Sequence, residues 1–142
     1  MSETFLEIKS ASGTSALGIA GWETDDRARR FDYLNVTLYA SGLHASTRIY
    51  NIYYGDGAGS LPSFFKDMAM NWRGWEGEKR WESVEGDLKM TCTSHPLGHI
   101  NLAVELHSYL DDPFVWDVRC SLVLESWQLD VLADEARKVF QI

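Results

Sequence analysis

Two turns between Trp81 and Glu105 can be placed independently of one another, and the strands they imply agree. Glu85-Gly86 offers a two-residue hairpin turn, which sets Ser83 opposite Leu88, Glu82 opposite Lys89 and Trp81 opposite Met90. Pro96-Leu97-Gly98 offers a three-residue loop, with Pro96 at the first right-handed position and Gly98 at the left-handed one. That loop sets His95 opposite His99, Cys92 opposite Leu102, Met90 opposite Val104 and Lys89 opposite Glu105. Lys89 then lies between Glu82 and Glu105, while Trp81, Met90 and Val104 share one face. Because a slip of one residue would turn every side chain to the wrong side, the agreement of charge and apolar pairing supports an antiparallel meander.

The same logic applies earlier in the chain. Leu34, Val36, Leu38 and Ala40 alternate with Tyr33, Asn35, Thr37 and Tyr39, and Ser41-Gly42 supplies a turn. Pairing Ala40 with Leu43 places Leu38, Val36 and Leu34 opposite Ala45, Thr47 and Ile49 on an inner face. The outer face then carries Tyr33, Tyr39, His44, Arg48 and Tyr50, an unusual set for a surface that meets only water. Shorter strands are expected at Phe5–Ile8 and Leu17–Trp22, and a last one from Phe114 to Leu124.

Two helices complete the pattern. Ser60 is placed to cap the first and Pro62 fits its first turn. Leu61, Phe64, Phe65, Met68 and Trp72 recur at helical spacing, and Gly74 is placed to end it. Trp72 and Trp81 are expected to form the helix and sheet ends of one core cluster. Ser126 is placed to cap the second helix, whose buried stripe is Leu129, Leu132, Ala133, Ala136 and Phe140. Arg48 to Tyr54 followed by the first helix resembles Arg119 to Glu125 followed by the second in spacing, though the identity is too low for a duplication. The expected fold is one α+β domain over residues 1–142. It has two layers, a largely antiparallel sheet of seven or eight strands with both helices packed on one face, divisible into two meander-plus-helix halves.

The net charge of −8 argues against nonspecific nucleic-acid or anionic-membrane binding, which need clustered Lys and Arg. The segment Met1-Ser2-Glu3-Thr4 has no basic n-region and no apolar stretch follows, the pattern of a cytoplasmic protein. No stretch approaches the roughly 20 apolar residues of a membrane span. Cys92 and Cys120 sit at alternating apolar positions and read as reduced core residues. The loop from Gly55 to Ser60 precedes a helix, but Asp56 would repel a phosphate and no Lys follows at Walker spacing. No motif asks for a cofactor.

Three smaller constellations remain. His95 and His99 face each other at a hairpin end, a weak metal candidate that lacks a third ligand. Arg73 and Trp75 could form a ligand slot beside the tryptophan-rich stretch, with Arg73 for an anion or for cation–π stacking. Arg27, Arg29 and Arg30 could clamp a carboxylate or phosphate, but Glu23, Asp25 and Asp26 flank them and the segment reads as a solvated loop.

Phe64-Phe65, Asn71-Trp72-Arg73-Gly74-Trp75-Glu76-Gly77, Trp81-Glu82-Ser83-Val84-Glu85-Gly86-Asp87-Leu88 and Gly98-His99 together resemble a family of small uncharacterised bacterial proteins, a domain of unknown function. The resemblance covers the chain from about Ser60 to Phe140, and the first third matches loosely. It implies a bacterial cytosolic protein and no particular reaction. The leading expectation is a noncatalytic protein-interaction module (immunity- or adaptor-like, or a homodimer) that uses the aromatic outer face of the first hairpin, with a protein partner or self-association. Two alternatives stay open. One is a small-molecule binder with a pocket near Arg73 and Trp75; the other is a metal-assisted enzyme working through His95 and His99.

Overall fold

The structure, a computed structural model, describes residues 5–25, 30–51, 59–108 and 113–140; for 22–25 and 30–32 the backbone alone is described. Four strands, β1 (Phe5–Lys9), β2 (Ala16–Asp25), β3 (Arg30–Ala40) and β4 (Leu43–Tyr50), precede helix α1 (Leu61–Met70). Four more, β5 (Glu78–Glu82), β6 (Leu88–Ser94), β7 (His99–His107) and β8 (Asp117–Glu125), precede helix α2 (Ser126–Val139). The expected single sheet is two sheets of four strands, β1-β2-β3-β4 and β5-β6-β7-β8, each an antiparallel meander in chain order. Each half is therefore a meander followed by a helix.

All three turn-derived registers hold. Ala40 faces Leu43 and Tyr33 faces Tyr50; Trp81 faces Met90 and Glu82 faces Lys89; Met90 faces Val104 and Lys89 faces Glu105. The Pro96 loop closes with the His95 N–H donating to the His99 carbonyl at 2.8 Å, and Gly98 has φ +99°. At the other turn the Ser83 N–H donates to the Leu88 carbonyl, so the loop spans Val84 to Asp87 and is longer than two residues. The charge ladder differs in one place. Lys89 lies 4.0 Å from Glu82, but Glu105 is held by Arg119 at 2.8 Å, because β8 places Arg119 opposite Glu105.

The inner rows of both sheets and the apolar stripes of both helices merge into one cluster. Leu34, Val36 and Ile49 from the first sheet join Met90, Leu102 and Val104 from the second, closed by Phe65 and Met68 of α1 and by Leu129 and Ala136 of α2. The helices pack on each other; α1 also touches β5, and α2 touches β1 and β8. The sheets meet where β1 ends: the Ala11 N–H donates to the Val123 carbonyl at 2.7 Å, and the Val123 N–H donates to Ser10 Oγ at 3.1 Å.

Four local expectations are corrected. Helix α1 starts as expected, with Ser60 Oγ accepting the Ser63 N–H at 3.2 Å. It ends at Asn71 rather than Gly74, because the Asn71 amide satisfies the Asp67 carbonyl at 2.7 Å. Trp72 is consequently outside the helix and 49% exposed, so it does not join Trp81 in the core. Helix α2 is entered through Glu125, not Ser126, with the Gln128 side-chain oxygen accepting the Glu125 N–H at 2.8 Å. The last strand begins at Asp117, since Phe114 and Val115 are each 79% exposed and make no inward row.

Candidate functional site

The outer face of β3 and β4 is built by the alternation that buries Leu34, Val36, Leu38, Ala45 and Ile49 on the other side. The side chains left outside pair across the strands. Tyr33 and Tyr50 meet edge to face with centroids 5.7 Å apart, and the Arg48 guanidinium lies 4.7 Å from the centre of the Tyr33 ring. Thr37 and Ser46 hydroxyls are 3.1 Å apart in the middle. At the far end Tyr39 and His44 stack with centroids 4.9 Å apart. All five residues expected on this face are there. They form two aromatic patches, Tyr33–Arg48–Tyr50 and Tyr39–His44, separated by a polar waist.

The adjoining strand supplies a floor. Ala16, Gly18 and Ala20 of β2 share this face, opposite Tyr39, Thr37 and Asn35. The Phe5 ring of β1 lies across Gly18: a Cβ there would sit 2.9 Å from Phe5 Cε2. The face is thus a shallow trough, with tyrosines on one bank and Phe5, Glu7 and Lys9 on the other. A side chain at position 18 would collide with this ring, so the glycine is what allows Phe5 to lie across the strand. Where the trough meets the β1–β2 turn, an open cleft of about 400 Å³ is lined by Lys9, Thr14, Ala16 and Tyr39 among others.

A second surface was passed over in the sequence. Trp127 and Val131 of α2 lie off the buried stripe, one helical turn apart, and are 70% and 48% exposed. With Glu7, Lys9, Gln128 and Glu135 they line a groove of about 310 Å³ between α2 and β1. The i, i+4 spacing of two apolar residues on the wet side of the helix was the available signal.

The other expected residues are placed elsewhere. The Trp75 indole packs on the core cluster, its N–H donating to the Cys92 carbonyl at 3.3 Å, with Lys79 Nζ 5.2 Å from its ring centre. Arg73 is exposed and its guanidinium lies 5.1 Å from the centre of the Trp72 ring. The chain brings these two close in sequence but turns them to different neighbours. Gly74, at φ +123°, makes that turn against Ser94. His95 and His99 stack at 4.2 Å, and the His95 ring accepts the Leu97 N–H. Among the described residues no group of three or more His, Cys, Asp or Glu is placed to hold a metal ion. Arg27 and Arg29 lie outside the described residues, as does the side chain of Arg30. Cys92 is a buried free thiol, pushed up to about 12 by that burial with a small opposing pull from Lys79; Cys120 is free and half-buried. Among the described residues no helix is long and apolar enough to cross a membrane.

Architecturally the molecule is an α+β protein of two meander-plus-helix halves sharing one core. The chain belongs to a family of unknown function (DUF6228), whose model matches residues 10–142. The match takes in β2, β3 and β4 of the first sheet but not β1, and reaches well beyond the stretch after Ser60 that carries the resemblance in sequence. No curated protein and no solved structure is significantly similar to the chain.

Proposed function

We propose that the protein is a noncatalytic interaction module of the bacterial cytosol, immunity- or adaptor-like, that holds a protein partner on the outer face of its first sheet. The observation that supports the reading is the preorganised pairing of Tyr33, Arg48 and Tyr50 beside a floor of Ala16, Gly18 and Ala20. Tyrosine and arginine already held in one geometry lose little side-chain entropy on binding, and a flat floor lets a partner approach the sheet closely. The acidic chain, at −8, favours a partner with a basic or neutral surface.

Photo-crosslinking in the native host tests this. A benzophenone side chain at Tyr39 or Tyr50 should capture one defined protein, and the adduct should weaken when Arg48→Ala is added. The same group at Asn101, on the outer face of the second sheet, should not capture it. Equal capture at all three positions, or none at Tyr39 and Tyr50, refutes the reading.

A further inference from the structure

The outer face of the second sheet carries one row of alternating charge. Glu82 faces Lys89, Lys89 faces Glu105 and Glu105 faces Arg119, so the row ends on a cation at β8. Among the described residues that strand has no neighbour along most of its outer side. Its hydrogen-bond phase is fixed at both ends: Trp116 bonds to Ser108 on the β7 side, and Val123 bonds outward to Ser10 and Ala11. The N–H and C=O of Asp117, Arg119 and Ser121 therefore point away from β7. Among the described residues no backbone group pairs with them. An unpaired edge of this kind is a template for another strand.

The inner side of the same stretch is unfinished as well. Trp116, Val118 and Cys120 pack on the core but stay only partly buried, whereas their β7 neighbours Leu106 and Val104 are buried.

We propose that this edge pairs with the same edge of a second copy of the chain, antiparallel and centred on Val118. In that register Asp117 meets Arg119 of the second copy, twice over by symmetry. Val118 meets Val118, and Trp116 meets Cys120. The open window, Val115 to Ser121, maps onto itself; beyond it Val123 is already taken by Ser10 and Ala11. Shifting the centre by one residue sets Asp117 against Asp117 or Arg119 against Arg119, which costs stability. The charge row then continues unbroken from Glu105 and Arg119 to the second copy's Asp117, which within its own chain contacts His107. The contact is isologous, as a two-fold dimer requires. It lies on the other sheet from the aromatic face and stands or falls separately from the function proposed above.

Sedimentation of the full chain and two single charge reversals tests it. The wild type should run near twice 16.1 kDa. Asp117→Arg alone and Arg119→Asp alone should each run as monomers at the same concentration, since each sets like charges face to face. Mixed one to one they should form a heterodimer, because every facing pair is then of opposite sign; that recovery also shows both variants to be folded. A monomeric wild type, or a dimer that survives both reversals, overturns the proposal. As a measurement independent of the charges, Val118→Cys in a Cys120→Ser background should form an interchain disulfide under mild oxidation. Facing Cα atoms at such a non-hydrogen-bonded pair are about 4.5 Å apart. Absence of that disulfide in a sample that sediments as a dimer also overturns the register.

Discussion

Removing one hydroxyl, in Ser83→Ala, should destabilise the protein far more than its size suggests. Ser83 is buried in the β5–β6 loop, where its Oγ donates to Asp87 Oδ1 at 2.5 Å and accepts the Leu88 N–H at 3.0 Å. Asp87 is buried too, and its Oδ2 has no partner among the described residues, so the Ser83 hydroxyl is the side-chain group that satisfies the carboxyl. Loss of a hydrogen bond to a charged group costs about 1.5–3 kcal/mol, and an orphaned buried N–H about 1–3 kcal/mol. Taken together, and with partial relaxation, Ser83→Ala should cost about 3 kcal/mol. With a urea m-value of about 2 kcal/mol/M the midpoint should fall by about 1.5 M. The same substitution in an Asp87→Ala background should cost about 2 kcal/mol less, because there the hydroxyl serves Leu88 alone. A loss below about 1 kcal/mol, or an equal loss in both backgrounds, would refute the account of this loop as a coupled buried network.

Further outcomes follow from single contacts. Trp81→Phe keeps the buried ring but drops the N–H donated to the Gly59 carbonyl at 2.8 Å, and should lower unfolding free energy by about 1–2 kcal/mol in urea titrations. Gln128→Ala loses bonds at both ends of its amide, to the Glu125 N–H and, at 2.9 Å, to the Lys9 carbonyl, and should cost about 1–2 kcal/mol by the same assay. A chromogenic disulfide reagent should titrate Cys120 in the folded, monomeric Arg119→Asp variant and Cys92 only after denaturation. The Cys92 thiol is raised from 9.0 to about 12 on folding, so its contribution to stability is complete below pH 9 and is lost as pH rises from 9 towards 12, where the unfolded chain ionises first. In Cys92→Ala that alkaline part of the stability profile should flatten.

Turn chemistry made much of the fold legible. Gly42 and Gly98 take positive φ where the turns were placed, and from those turns the registers of β3 with β4 and of β6 with β7 follow by counting. The outer-face set Tyr33, Tyr39, His44, Arg48 and Tyr50 came with the register at no extra assumption. What counting could not supply was anything between elements that are distant in sequence. Arg119 reached Glu105 because β8 pairs with β7 across a connection whose length sets no register. The split into two sheets has the same origin, since alternation says which face of a strand is buried but not which strand lies beside it. Trp72 misled because helical spacing carries on past Met70, while the Asn71 side chain stops the helix there. Phe5 over Gly18 was invisible until β1 was placed beside β2.

The meeting of the two halves bears on how the chain can come apart. Helix α1 ends the first half, yet its Asp67 is bound by Lys79 of β5 at 2.6 Å. Helix α2 ends the second half, yet its Gln128 holds the Lys9 carbonyl of β1. Each half thus lends its helix to the first strand of the other, and both helices lie in the same buried cluster. Neither half can melt while the other stays intact, because either one leaving strips a wall from the core that remains. Unfolding is expected as a single cooperative step over the described chain, and an isolated half should behave as an open, association-prone sheet rather than as a smaller domain.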